Sequence, residues 1–159
     1  MILYIDRAID GIEYDFSFEE PVDENLFDGR KIESCSVMKV VGKYSVVKNV
    51  VYVKGLVTID KIILPCDRCL TSVETSVSAD IDAVFTKDGA EGTYPYEGWQ
   101  PDISDAVAET VQFALPSTVL CREDCRGLCP SCGKNLNEEK CNCKTQQERY
   151  NAFSVLLEE

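Results

Sequence analysis

Eight of the nine cysteines fall into close pairs, in a chain with no histidine. Cys121, Cys125, Cys129, Cys132, Cys141 and Cys143 crowd into one stretch, and Cys66 and Cys69 flank Asp67-Arg68 far upstream. A Cys-x2-Cys turn aims two thiolates at one point. Two such turns complete a tetrahedral site about 2.3 Å from a zinc ion. The run Cys129-Pro130-Ser131-Cys132-Gly133, followed by Cys141-x-Cys143, therefore points to a metal. Cys129, Cys132, Cys141 and Cys143 would make a local set of four. Cys66, Cys69, Cys121 and Cys125 would make a second, pinning the tail onto the rest of the chain and so making the metal part of the fold. A single site using Cys125, Cys129, Cys132 and one or both of Cys141 and Cys143 is the rival. The expected cofactor is thus one or two zinc ions, with the assignment of thiols to ions left open.

Tetrathiolate zinc has no open position for water or substrate, so it is structural rather than catalytic. Iron in a rubredoxin-like knuckle and a thiol redox switch are the other uses of these groups. Cys125-x3-Cys129-x2-Cys132 also has radical-SAM spacing, but it sits near the C-terminus with too little chain for that barrel. Without histidine there is no Ser–His or Cys–His pair and no imidazole base. Asp80 and Asp82 read as solvated strand positions, and no glycine-rich phosphate loop is present. The chain is expected not to be an enzyme and to take no small-molecule substrate. Cys35, the ninth cysteine, is expected to be a small buried apolar residue.

The elements that must position these groups follow from periodicity. Residues 12–18 alternate, with Ile12, Tyr14, Phe16 and Phe18 on one side, as in a half-buried strand. Residues 19–30 are acidic and turn-rich and read as a loop. A three-strand antiparallel meander is expected from Ser36 to Phe85, with a hairpin turn at Lys48-Asn49. Its inward residues are Met38, Val40, Tyr44 and Val46, then Val51, Val53, Val57, Ile59 and Ile63, then Val73, Val77, Ala79, Ile81, Ala83 and Phe85. Lys39, Lys43 and Lys54 share the opposite, solvated face. Residues 86–101 form a long connection in which Trp99 is expected to pack back onto the sheet, with a partner anchor as the rival reading. A helix follows, started by Asp102, carrying Ile103, Val107, Val111 and Ala114 on its apolar stripe, and ended by Pro116. A last helix is expected from the capping box Thr145-Gln146-Gln147-Glu148, with Tyr150, Phe153 and Leu157 at helical spacing.

The fold expected is α+β. It comprises an antiparallel sheet, open or partly closed, one packed helix, a cysteine-rich zinc-knuckle tail and a C-terminal helix. At 159 residues, one core plus an appended module fits, with 1–120 as the sheet and helix domain and 121–159 as the metal-binding tail. Hydrophobic residues make up 45% and charged residues 28%, which is ordinary for a soluble protein. No signal-like or membrane-spanning run is seen, so a cytoplasmic location is expected, where reduced thiols favour metal over disulfides.

The net charge is −12. Residues 1–30 hold 9 acidic and 2 basic side chains, residues 86–120 hold 6 and 1, and the rest is nearly balanced. The excess of Lys and Arg that marks a nucleic-acid footprint is missing from the whole. An acidic surface attracts basic partners and is also a common route to solubility.

Leu64-Pro65-Cys66-Asp67-Arg68-Cys69-Leu70, Leu115-Pro116, Leu120-Cys121-x3-Cys125-Arg126-Gly127-Leu128-Cys129-Pro130-x-Cys132-Gly133-Lys134-Asn135-Leu136-Asn137 and Cys141-x-Cys143 resemble the YceD family of large ribosomal RNA subunit accumulation proteins. The match runs in order from about residue 60 to the end. Gln147-Glu148-Arg149 stands where the family often has Asp-Pro-Arg. The resemblance implies a bacterial cytoplasmic factor that supports large-subunit rRNA accumulation or maturation. Its partner would be a large-subunit precursor, met through rRNA or a basic ribosomal protein. Candidate RNA contacts are Lys39, Lys43, Lys54 and Arg68, with Arg122, Arg126 and Lys134 around the knuckle. The alternative is an acidic holder for a small basic ribosomal protein, with Glu19, Glu20, Asp23 and Glu24 in its attracting surface. A thiol or zinc sensor is the weaker third reading.

Overall fold

The computed structural model describes residues 1–22 and 32–143. Asp23, Glu24 and the helix expected from Thr145 lie outside the described residues. Strands β1 (Glu13–Glu20), β2 (Ser34–Cys35), β3 (Met38–Val47), β4 (Val50–Pro65), β5 (Ser72–Thr86) and β6 (Tyr94–Pro95) precede helix α1 (Ser104–Ala114). They form one sheet in the order β1-β3-β4-β5-β6, and β2 pairs with β4 beyond the end of β3. Every pairing is antiparallel except β5 with β6. The sheet is open, so the partial closure allowed by the sequence is not realised.

The β3–β4 hairpin turns at Lys48 and Asn49, both in the left-handed region (φ 49° and 65°), as a two-residue turn with the strand twist requires. Opposite one another in this hairpin lie Gly42 and Gly55. A Cβ on Gly42 would stand 2.9 Å from the Phe16 ring, so the missing side chain lets β1 lay an aromatic across the backbone. One face of the sheet carries the core: Val40, Val51, Val53, Val57, Ile59, Ile81 and Phe85 are all buried. Helix α1 covers it with Ala106, Val107 and Val111, and Leu3, Ile5, Tyr96 and Ile103 fill the margins.

A bulge in β4 corrects one expected residue. Between Ile59 and Ile62 the register against β5 shifts, so Ile62 and Leu64 point inward in place of Ile63. The extra residue reverses the alternation for the rest of the strand. It thereby carries Cys66, two residues past Leu64, into the buried side at 0% exposure.

Helix α1 begins one residue later than expected: Ile103 rather than Asp102 is its N-cap and makes no side-chain cap hydrogen bond. The Asp102 carboxylate accepts from the Ser104 N–H (2.9 Å) and hydroxyl (2.6 Å). Leu115 is already extended (φ −63°, ψ 134°), as the residue before Pro116 must be. Two further expectations need correction. Cys35 is exposed rather than buried, because it sits on a two-residue strand at the sheet margin. In the connection after β5, Tyr96 packs inward and donates its hydroxyl to the Asn49 carbonyl (2.7 Å), while Trp99 stays 54% exposed. No described helix is long and apolar enough to cross a membrane.

Candidate metal centre

The inner centre is built where β4 ends. Cys66 and Cys69 sit on a tight turn closed by Cys66 N–H to the Thr71 carbonyl (2.8 Å) and Leu70 N–H to the Cys66 carbonyl (2.9 Å). Leu70 adopts φ 61° to complete it. The tail then docks on this turn through a reciprocal clamp. Asp67 N–H donates to the Val119 carbonyl (2.9 Å), and Val119 N–H donates to the Asp67 carboxylate (2.7 Å). Arg68 adds two links, its guanidinium to the Cys125 carbonyl (3.0 Å) and its carbonyl to the Leu128 N–H (3.1 Å). Gly127 makes this approach possible. Its φ is +71°, and a Cβ there would lie 2.9 Å from the Arg68 carbonyl oxygen.

These contacts bring Cys66, Cys69, Cys121 and Cys125 together with all four Sγ atoms within 4.8 Å of one another. Cys66 and Cys125 Sγ are 3.9 Å apart, and Cys69 and Cys121 Sγ are 3.5 Å apart. A tetrahedron with metal–sulfur bonds of about 2.3 Å has edges of about 3.8 Å, whereas a disulfide needs about 2.05 Å. The set fits a tetrathiolate ion. Val73, Leu120 and Leu128 wall it, and Cys66, Cys69 and Cys125 are buried while Cys121 is exposed. Polar hydrogens also point at the sulfurs: Cys121 N–H at Cys66 (3.4 Å) and the Asn137 amide at Cys125 (3.3 Å). Such donors orient ligands and stabilise the thiolate form. Burial raises the Cys66 pKa, but the backbone N–H groups of Arg68, Cys121 and Cys69 outweigh it and bring the thiol down to about 6. Cys121, sharing a hydrogen bond with Cys69, is pushed up to about 12. A divalent cation among four such sulfurs would hold all of them as thiolates.

The outer centre gathers Cys129, Cys132, Cys141 and Cys143, also within 4.8 Å of one another. Its knuckle is closed by Cys129 N–H to the Lys134 carbonyl and Gly133 N–H to the Cys129 carbonyl, both 2.8 Å, with Gly133 at φ +72°. Cys129 is buried, Cys141 half-buried, and Cys132 and Cys143 exposed. The backbone N–H groups of Ser131 and Cys132 bring Cys129 down to about 6. A hydrogen bond with Cys132 pushes Cys143 up to about 12. The two sets are the two the sequence offered, rather than the single-site rival. Four sulfurs per site leave no open coordination position, which suits a structural ion.

Asn137 links the two centres, and nothing in the sequence marked it for that role. Its side-chain oxygen accepts from Arg126 N–H and the Arg122 guanidinium, both at 2.8 Å. Its amide serves Cys125 and the Asn135 side chain (2.8 Å), at the turn that follows the outer knuckle. The Asp67 clamp was equally invisible, because its partner lies 52 residues away.

The candidate RNA-contacting cations are placed as follows. Lys39 pairs with Asp60 (3.4 Å), and Lys54 pairs with Asp82 (3.6 Å). Lys43 stands between Glu13 (3.7 Å) and Asp15 (3.9 Å). Arg68 holds the Cys125 carbonyl, Arg122 holds Asp124 (3.3 Å) and Asn137, and Lys134 holds Glu139 (2.9 Å). Only the Arg126 side chain lacks a polar partner among the described residues. Glu19 is exposed on β1 opposite Lys39, and Glu20 is half-buried opposite Met38.

The family model described as "Large ribosomal RNA subunit accumulation protein YceD" matches residues 58–158, more than half of the chain and all eight paired cysteines. An Arabidopsis thaliana protein named as a chloroplastic YCED homolog of the same description is 34% identical over 55 residues, covering 35% of this chain and 17% of that protein. An uncharacterized protein of Mycobacterium leprae is 30% identical over 101 residues, covering 54% of this chain and 43% of its own length. One from Mycobacterium bovis is 31% identical over 84 residues, covering 46% and 40%. The chain spans less than half the length of each of these curated relatives. No solved structure matches it.

Proposed function

The chain belongs to the YceD family of large ribosomal RNA subunit accumulation proteins, and from that premise we propose that it is a non-catalytic assembly factor acting through a basic protein partner. One structural zinc ion holds the tail against the sheet, a second braces the tail's own knuckle, and the acidic surface captures a basic large-subunit protein on its way to rRNA. The observation that carries this reading is the state of the strand lysines. Lys39, Lys43 and Lys54 each face a carboxylate, and the same sheet face also bears Glu19 and Asp80. A phosphate backbone approaching that face meets a net negative field, while a basic protein meets attraction. Two tetrathiolate sites deepen the field, since four thiolates outweigh one dication. The cytoplasmic location expected from the sequence is part of the same proposal.

The experiment is an affinity pull-down from native cells, split and run with and without nuclease. A small basic protein retained at stoichiometric level after nuclease treatment supports this reading. Large-subunit precursors that vanish wholly on nuclease treatment contradict it. The second reading, direct rRNA contact, is favoured by one observation, the exposed Arg126, whose side chain has no polar partner among the described residues. In that case Arg126→Glu abolishes RNA association and affinity falls steeply with salt.

A further inference from the structure

Two short segments pair beside the core and leave an acidic, aromatic cleft between them. Leu3 N–H donates to the Pro101 carbonyl (2.9 Å) and Ile5 N–H to the Trp99 carbonyl (3.0 Å). Leu3 and Ile5 are buried, so this pairing is anchored in the core. Tyr4, between them, points outward at 64% exposure, beside Trp99. A turn at Gly98 (φ +60°), with Gln100 N–H reaching the Glu97 carbonyl (3.4 Å), sets the other wall. The cleft holds about 400 Å3 and is lined by Tyr4, Asp6, Glu97, Gly98, Trp99 and Gln100. That volume lies within the usual range for ligand sites.

Both charged groups in its lining are carboxylates, and two cations of the chain stand beside the lining, Arg7 at Asp6 and Lys87 at Trp99. Two carboxylates and two large aromatic rings line it, and no Lys or Arg does among the described residues. Glu97 has no side-chain hydrogen bond or ion pair among the described residues. Among the described residues Asp6 forms its ion pair with Arg7, at 3.7 Å and with Arg7 95% exposed, a pair that solvent makes weak and exchangeable. The Trp99 ring already takes a cation from within the chain, with Lys87 Nζ 5.1 Å from its centroid. A guanidinium in the cleft gains both the ring quadrupole and the two carboxylates. A phosphate or nucleotide would be repelled by the same carboxylates. Both walls are fixed by backbone hydrogen bonds, so little ordering cost falls on binding.

We infer that this cleft is the docking site for an arginine or lysine side chain of a basic protein partner. The inference rests on the basic-partner reading and locates where that partner is held. Trp99 is the only tryptophan in the chain, so its emission reports on the cleft directly.

The test titrates the full chain with a fluorescein-labelled arginine–serine peptide, reading peptide anisotropy and, with unlabelled peptide, Trp99 emission. The expected result is a saturable change in Trp99 emission. Asp6→Asn with Glu97→Gln should weaken binding about tenfold, and Trp99→Ala by a similar factor. Glu91→Gln with Glu123→Gln, which removes the same charge elsewhere, should change it less than about twofold. Equal weakening by the two double variants would mean general charge attraction and overturn the inference. So would a saturable Trp99 response to single-stranded RNA without one to the peptide. If Asp6→Asn with Glu97→Gln still retains the basic protein after nuclease treatment, the cleft assignment fails while the basic-partner reading stands. If the unaltered chain retains no basic protein, that reading fails and this assignment falls with it.

Discussion

Cys66 and Cys69 meet Cys125 and Cys121 across 59 and 52 residues of chain, against apolar walls and with three of four thiols buried. Cys129, Cys132, Cys141 and Cys143 meet within one short run, with two of four thiols exposed. The donors are the same and the surroundings differ. An ion in the inner centre closes a long loop and ties the tail to the turn after β4, so its binding energy becomes stability of the sheet. An ion in the outer centre orders only the loop that carries it. Identical ligand sets can therefore be a staple for a domain in one place and a local brace in another.

The sharpest way to break this comparison is to delete one ligand from each centre. Cys66→Ser should cost one zinc and about 3–5 kcal/mol of sheet stability, because a buried polar remnant and a lost cross-link act together. Cys143→Ser should also cost one zinc but shift the sheet's unfolding by less than about 1 kcal/mol. Zinc content by elemental analysis and urea unfolding followed by β-sheet circular dichroism read both. Equal destabilisation by the two variants would remove the distinction.

A finer comparison uses the glycines at matching places. Gly127 and Gly133 both adopt left-handed φ, +71° and +72°. An added Cβ at Gly127 meets the Arg68 carbonyl, whereas at Gly133 nothing lies within 4 Å. Gly127→Ala should cost about 2–3 kcal/mol and Gly133→Ala about 1 kcal/mol, the strain alone. Unfolding midpoints separate them. Between the centres, Asn137→Ala removes a donor to Cys125 and should weaken the inner zinc about tenfold in competition with a chromophoric chelator, leaving the outer one nearly unchanged.

The smallest effect is one of pH in the metal-free chain. Cys66 and Cys129 are lowered from 9.0 to about 6, so each contributes stability that is full above pH 9 and lost as pH falls towards 6. Cys121 and Cys143 are raised to about 12, so each contributes stability that is full below pH 9 and lost as pH rises towards 12. Stability of the chelated protein should thus peak near pH 9. A monotonic profile across this window would contradict the hydrogen-bonding assigned to these thiols.

Much of the site was legible because its signal is local. Cys-x2-Cys spacing fixes two ligands whatever surrounds them, and eight thiols divide into two fours. Strand alternation placed the core face of β3, β4 and β5 for the same reason. What escaped detection depends on chain brought in from far away. The β4 bulge, which exchanged Ile63 for Ile62, follows from pairing with β5 rather than from β4 alone. The Asp67–Val119 clamp and the Asn137 bridge join side chains to distant backbone, and no spacing rule encodes them. The strand lysines were placed correctly on the solvated face. Their neutralisation depends on register, as with Lys54 opposite Asp82, which alternation does not specify.

Stepwise chelation followed by native mass spectrometry, with thermal unfolding at each step, tests the staple-and-brace account most directly. The account predicts two zinc ions per chain, the first leaving with the sheet's melting unchanged and the second leaving with a large fall. Loss of both ions in one step, or a fall in melting that accompanies the first ion, would contradict it.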